Sequence, residues 1–298
     1  MFLNSKITWE KLRLELEIIK TAPPLSLIPI LYGFNALLDE KANIESSSHT
    51  LLQLSYELKK NCDELPDEDK LNYLNEYFFE QQGFQLSDTN NQNKKLDCWL
   101  PEQMIQNKEG APLLIALLYQ YLAFELNLPL QIIFHPHFTL VKWIRPGKKS
   151  RIIDLSLHGL VLKDKEISEI FNKYDSGTLK ERGTKLFNSL NTQDILKFYL
   201  KSAYSCLKNK EQLEKSLPLL HALIFLLPEK AQFLLERAQV YKTQGALNDA
   251  YKDFRKYLSF TEIKNLSQEL KTSLYELQTQ LSFNKAKQET NPDLKLLH

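Results

Sequence analysis

The stretch GAPLLIALLYQYLAFEL, residues 110–126, decides the fold class of this chain. Its apolar residues recur with a helical period and leave little polar circumference, which predicts a buried helix from Pro112 to Leu126. Proline is well tolerated at the first helical position, because the N–H that it lacks would have no partner within the helix. The sequence therefore predicts a central, buried helix that begins directly after Gly110-Ala111.

After this helix the hydrophobic period changes to two. Strands are predicted at Leu130–Phe134, His137–Ile144 and Arg151–Leu155, and Arg145-Pro146-Gly147-Lys148 forms the turn between the last two. A helix packed on an antiparallel sheet is an α+β layout.

The residues before the central helix predict further helices. Apolar residues share one helical face at Leu12, Leu16 and Ile19, and further helices are expected at 28–38, 51–58 and 67–82, the last stopped by Gly83. The polar residues 85–97 are predicted to form a loop, which could cover a cleft or serve only as a linker.

The C-terminal region is predicted to be helical and to contain a repeat. Four pairs of residues lie 34 positions apart, namely Leu200 and Leu234, Leu207 and Tyr241, Ser216 and Ala250, and Leu220 and Phe254. The second unit fits the tetratricopeptide pattern at Ala238, Tyr241, Ala250 and Phe254, with Gly245 near the turn. Two such repeats are too few to be stable alone, so they must dock on the N-terminal domain or on a last helix at about 266–281.

Composition excludes several classes of protein. The 298 residues carry a formal net charge of +1, so no overall field favours nucleic acid. Three scattered thiols, Cys62, Cys98 and Cys206, give neither a disulfide framework nor a CxxC metal spacing, which predicts reduced cysteines in the cytoplasm. We find no signal peptide, no apolar run suited to a membrane span and no glycine-rich phosphate loop, and we expect no cofactor.

The order of the candidate site residues indicates a known kind of catalytic centre. A helix N-terminus, then His137 on a strand, then Asp154 on a later strand is the order of a papain-like or transglutaminase-like Cys-His-Asp site. A helix N-terminus stabilises a cysteine thiolate through the dipole and the free N–H groups. Here that position holds Pro112, which has no nucleophilic group.

The chain resembles the bacterial SirB-type family, which has a transglutaminase-like N-terminal domain followed by tetratricopeptide repeats. The resemblance covers roughly residues 65 to 260 and is carried by 71–75, 83–84, 110–114, 126–129, His137-Phe138 and Ile152-Ile153-Asp154. Active transglutaminase-like proteins place a cysteine two residues after a glycine, where the SirB-type family has Gly-x-Pro. The resemblance therefore implies that catalysis was lost in the family, that His137 and Asp154 are remnant positions, and that the family has a regulatory role.

Three departures from the family pattern lie close to these positions. This chain has His135-Pro136-His137 where Pro-Gly-His is usual, Leu155 where a proline follows the aspartate, and Asn127 in place of a common glycine. His135 and His137 would face the same side of a strand, so either could occupy the family histidine position.

Two other sources of reactivity are open. Cys98 lies 12 residues before Gly110 and would approach the cleft if the intervening segment folds back. His135, His137 and His158 together with Asp154 could form a zinc site, although their spacing matches no strong pattern and we expect no metal. A hydrogen-bonded pair of His137 and Asp154 that ties two strands together is the simpler interpretation of those residues.

These observations predict three segments. They are a helical extension at 1–64, a transglutaminase-like (papain-like) α+β domain at 65–190, and tetratricopeptide-like repeats with a capping helix at 191–298. The expected function is a non-catalytic, regulatory module that binds a protein or peptide and is not an enzyme. The alternative is a residual amide hydrolase or acyl-transferase that uses Cys98 or a metal-bound water as its nucleophile.

Overall fold

The structure is a computed structural model that describes residues 7–21, 26–39, 41–62, 64–87, 96–135, 138–174, 189–208, 212–261 and 266–290. The chain divides into two compact units, Met1–Cys206 and Leu207–His298. The three-segment division at 64/65 and 190/191 stays a prediction. Among the described residues, no helix combines the length and the apolar character needed to cross a membrane.

The first unit contains helices around one four-stranded sheet. Its helices are α1 (Trp9–Thr21), α2 (Ile28–Leu38), α3 (Ile44–Cys62), α4 (Asp67–Asn75), α5 (Pro101–Asn107), α6 (Pro112–Glu125), α7 (Asp164–Tyr174) and α8 (Thr192–Lys208), the last of which continues into the second unit. Its strands are β1 (Gln85–Leu86), β2 (Glu109–Gly110), β3 (Leu130–His135), β4 (Phe138–Trp143), β5 (Arg151–Asp154) and β6 (Leu160–Val161).

The sheet is antiparallel in the order β3-β4-β5-β6, and β1 pairs with β2 in a separate parallel pair. Helix α6 packs against β3 and β4. On the opposite face Ile133, Leu140, Ile152 and Leu162 form a cluster covered by Ile167 and Ile170 of α7. Both faces of the sheet are therefore covered, and α6 lies in the core as its sequence predicts, with Leu113 and Leu122 fully buried.

The predicted helix at 67–82 is present but is not a single α-helix. After Asn75 the chain continues as a π-helix, Glu76–Gln81, and Gly83 ends it with φ +71. The wider turn buries three consecutive aromatic residues, Tyr77, Phe78 and Phe79, which an α-helix would spread over more of its circumference.

The prediction of a loop over residues 85–97 was wrong at both ends. Gln85–Leu86 is strand β1, and Leu96–Trp99 is a 3₁₀ helix. Strand β1 forms because it pairs with Glu109–Gly110, far along the chain, which local composition does not reveal. Residues 88–95 lie outside the described residues.

The second unit is helical. It contains a 3₁₀ turn (Leu213–Ser216), α9 (Leu217–Leu226), α10 (Gln232–Thr243), α11 (Leu247–Leu258) and α12 (Gln268–Thr290). Its core joins Leu235, Ala238, Ala250, Phe254 and Leu277. The repeated helices thus pack on a last helix, one of the two docking sites expected, and that helix extends nine residues beyond the predicted end at 281. Whether the repeats are of the tetratricopeptide class stays a prediction.

Candidate functional site

The N-terminus of α6 is the centre of the candidate site. Ala111 precedes the helix in extended conformation, and Pro112 is its first residue. The N–H of Ala111 donates to the carbonyl of Cys98 at 2.8 Å, and the N–H of Ser87 donates to the carbonyl of Gly110 at 2.8 Å. Two segments on opposite sides of 88–95 in the sequence therefore meet where α6 begins.

Packing explains the glycine that precedes this helix. A Cβ placed on Gly110 would lie 2.9 Å from Cγ of Met104. Since Met104 is itself fully buried in α5, a larger residue at 110 would displace core atoms. Gly110 thus serves the close contact of β2 with α5, independently of any chemistry at residue 112.

Pro112 is half-buried and provides no acid, base or nucleophile to the site. Cys98, by contrast, is a half-buried free thiol whose backbone lies beside the helix start. The segment before Gly110 does fold back toward α6, which was the condition for Cys98 to approach the site. The other two cysteines, Cys62 and Cys206, are both buried.

Asp154 ends β5 and caps the short 3₁₀ helix Leu155–Leu157. Its Oδ1 accepts hydrogen bonds from the N–H of Ser156 at 2.8 Å and from the Ser156 hydroxyl at 2.6 Å. The carboxylate thus stabilises its own turn. His137 lies outside the described residues, so its pairing with Asp154 stays a prediction.

The other two candidate histidines have aromatic neighbours. His135 ends β3 and stacks on Phe138 with ring centroids 4.7 Å apart. His158 follows the 3₁₀ helix with φ +52 and stacks on Phe79 at 5.2 Å. Within the described ranges, which leave out His137, no three His, Cys, Asp or Glu side chains are grouped so as to hold a metal ion.

A buried polar connection behind Asp154 was not found from the sequence. The Tyr119 hydroxyl of α6 donates to Oδ1 of Asn75 at 2.6 Å, and Nδ2 of Asn75 donates to the carbonyl of Gly159 at 3.0 Å. Burial raises the pKa of Tyr119 far above its usual range, so the phenol stays protonated and remains a donor. These contacts hold the segment 154–160 against α4 and α6.

No local pattern could have identified this connection. Asn75, Tyr119 and Gly159 lie far apart in the sequence, and each belongs to a residue type common in helices or turns. The left-handed φ of +80 at Gly159 is the one feature that glycine in a short turn suggests.

Comparison with known proteins identifies the domain. The family model described as the transglutaminase-like superfamily matches residues 45–200, just over half of the chain. No curated protein and no solved structure matches the chain significantly.

Proposed function

Since the chain belongs to the transglutaminase-like superfamily, we propose that it is a non-catalytic, regulatory module of the SirB type that binds a protein segment. The observation that carries this proposal is Pro112 at the first position of α6. Covalent acyl-transfer catalysis needs a nucleophile aligned with a base, and proline offers neither a thiol nor a hydroxyl. The N-terminus of α6 therefore has no attached group to activate.

The state of Asp154 supports the same proposal. In a working triad the carboxylate orients the imidazole by accepting its N–H. Here Asp154 accepts two hydrogen bonds from Ser156 through the same oxygen, which gives the carboxylate a structural task at the end of β5.

The second unit supplies the other half of the proposal. Helices α10 and α11 form an antiparallel pair whose core holds Ala238, Ala250 and Phe254, three of the positions that fit the tetratricopeptide pattern. Arg237 and Asp253 join the pair through two hydrogen bonds of 2.7 and 2.8 Å. We propose that these helices are tetratricopeptide-like repeats and that they contribute to binding a protein or peptide in a bacterial cytoplasm.

Affinity capture from the lysate of the producing cells tests the proposal. The bait is the full chain, compared with Cys98→Ser and Asp154→Asn. A binding module captures the same partner in the same amount with all three baits. Loss of a covalently attached partner in Cys98→Ser alone would contradict a non-catalytic role.

A second candidate is a residual amide hydrolase or acyl-transferase with Cys98 as its nucleophile. The hydrogen bond from Ala111 to the Cys98 carbonyl favours it, because this bond places residue 98 beside the start of α6. The positive end of the helix dipole there would stabilise a thiolate.

Alkylation with iodoacetamide separates the two candidates. A catalytic Cys98 reacts rapidly and stoichiometrically at about pH 6, where an ordinary thiol is almost entirely protonated. Cys62 and Cys206 serve as internal buried controls, and Cys98→Ser must abolish the signal. A rate at Cys98 no higher than that of free glutathione would remove this candidate.

A further inference from the structure

The second unit contains an open groove between the start of α11 and the middle of α12. Leu247, Asn248 and Tyr251 line one side, Gln278, Leu281 and Ser282 line the other, and its volume is about 750 Å³. We call it the α11–α12 groove.

The groove has an apolar floor and an amide rim. Leu247, Tyr251 and Leu281 pack against the buried core of the unit yet remain only partly buried. Asn248, Gln278 and Asn284 border it, and within the described part of the chain their amide side chains make no hydrogen bond. Amides donate and accept, so this rim suits a bare peptide backbone, while the floor suits apolar side chains.

One segment of the same chain has the matching pattern. Residues 293–297 read Asp-Leu-Lys-Leu-Leu, so Leu294 and Leu296 would share one face of an extended segment while Asp293 and Lys295 would face away. We propose that the α11–α12 groove binds residues 293–297 of its own chain, with Leu296 over Leu281.

Chain length permits this return. Thr290 is the last residue of α12, and Ser282 lies about 12 Å before it along the helix axis. The six residues from Thr290 to Leu296 can span roughly 20 Å when extended. The remainder allows a reversal, and Pro292 disfavours continuation of α12 at that point.

The bound segment would regulate access to the groove. Any partner that presents leucines at alternate positions of an extended segment would compete with residues 293–297 for the same floor. Only this consequence rests on the proposed function, because intramolecular binding can be tested without a partner.

Disulfide formation in the full chain tests the inference. Ser282→Cys is combined with Leu296→Cys in a Cys98→Ser background, and the thiols equilibrate in a glutathione redox buffer. The matched control combines Leu296→Cys with Gln280→Cys, which is equally exposed and about 3 Å farther from Thr290 but on the opposite side of α12. Cys62 and Cys206, each 2% exposed, stay in place.

If the segment occupies the groove, the effective concentration for the 282–296 pair exceeds that for the 280–296 pair by about tenfold or more. Equal values for the two pairs, or little disulfide in either, would overturn the inference. Neither result depends on whether the chain binds a partner, so the inference and the proposed function can fail separately.

Discussion

Gly159 shows how a single residue positions the turn that follows Asp154. Its φ is +80, and its carbonyl accepts the hydrogen bond from Asn75. Only glycine adopts this backbone conformation without cost, and only the absence of a side chain lets Asn75 approach. Pro112 has the opposite character, since its ring supports the start of α6 but removes the functional group that the site would need.

Gly159→Ala should lower the free energy of unfolding by about 2 kcal/mol or more, because it adds backbone strain and a steric clash. A Cβ there would lie 2.0 Å from Oδ1 of Asn75. The control is Gly147→Ala, where φ is +69 but no atom lies within 4 Å, so it should cost only about 1 kcal/mol. Urea unfolding curves give both values, and equal losses would show that the contact with Asn75 is unimportant.

Pro112→Cys in a Cys98→Ser background should produce only a weakly reactive thiol. The Asp154 carboxylate is engaged by Ser156, and the residues around it are arranged for a turn and not for a catalytic base. Alkylation by iodoacetamide at about pH 6 should be no faster than that of glutathione. Rapid, stoichiometric labelling would indicate that the rest of the site is still organised for catalysis.

At the scale of elements, buried polar contacts fix how the helices are joined. Glu102 of α5 is 4% exposed and accepts the Asn43 N–H at 2.8 Å, just before α3 begins. Asn35 of α2 accepts the Glu102 N–H at 3.1 Å and donates to Glu102 Oε2 at 3.4 Å. One carboxylate therefore connects three helices.

Asn35→Ala should destabilise the protein by about 2 to 3 kcal/mol, because the Glu102 carboxylate would lose a donor in a buried place. The control is Asn107→Ala on the exposed side of α5, which should change stability by less than about 0.5 kcal/mol. Thermal unfolding followed by circular dichroism gives the comparison. A similar small effect in both variants would mean that water replaces the lost donor.

Glu57 of α3 contributes pH-dependent stability. Hydrogen bonds from Gln53 and from Tyr77 on the π-helix lower its pKa below the ordinary 4.5. A lowered pKa in the folded state stabilises the fold above the ordinary value, and that stabilisation is lost as the pH falls through the folded value. Since Glu57 is largely in solvent, the effect should stay below about 1 kcal/mol.

Glu57→Gln provides the test of this linkage. The difference in unfolding free energy between the original chain and the variant should be constant at neutral pH and should shrink below pH 4.5. Urea titrations at several pH values measure it. A difference that does not change with pH would refute the assigned contribution.

At the scale of the whole molecule, the charges nearly cancel. The 38 basic and 37 acidic residues give an isoelectric point of about 7.6. Repulsion between copies of the chain is therefore weakest near neutral pH.

Self-association should be strongest near pH 7.6 and should decrease at lower pH, as the six histidines become charged. Static light scattering across this range measures the second virial coefficient, which should become more positive on acidification. Addition of salt should reduce the change, because ions screen the added charge. A coefficient independent of pH would point to contacts that do not depend on charge.

Much of the fold follows from periodic patterns along the chain. The helical period of Leu12, Leu16 and Ile19 predicted α1, and the alternation after Pro129 predicted β3, β4 and β5. The patterns failed where a distant segment decides the local structure. Strand β1 exists because of β2, and the π-helix buries neighbouring aromatic residues that periodicity alone would distribute.

The candidate site divides in the same way. The sequence by itself determined that Pro112 begins a buried helix and supplies no nucleophile, since both facts depend only on residue type and helical period. Only the tertiary structure decided that Cys98 lies beside that helix, that Ser156 engages Asp154, and that Asn75 and Tyr119 hold Gly159. The reason is that hydrogen bonds between distant segments depend on how helices and strands pack, and chain order does not encode that packing locally.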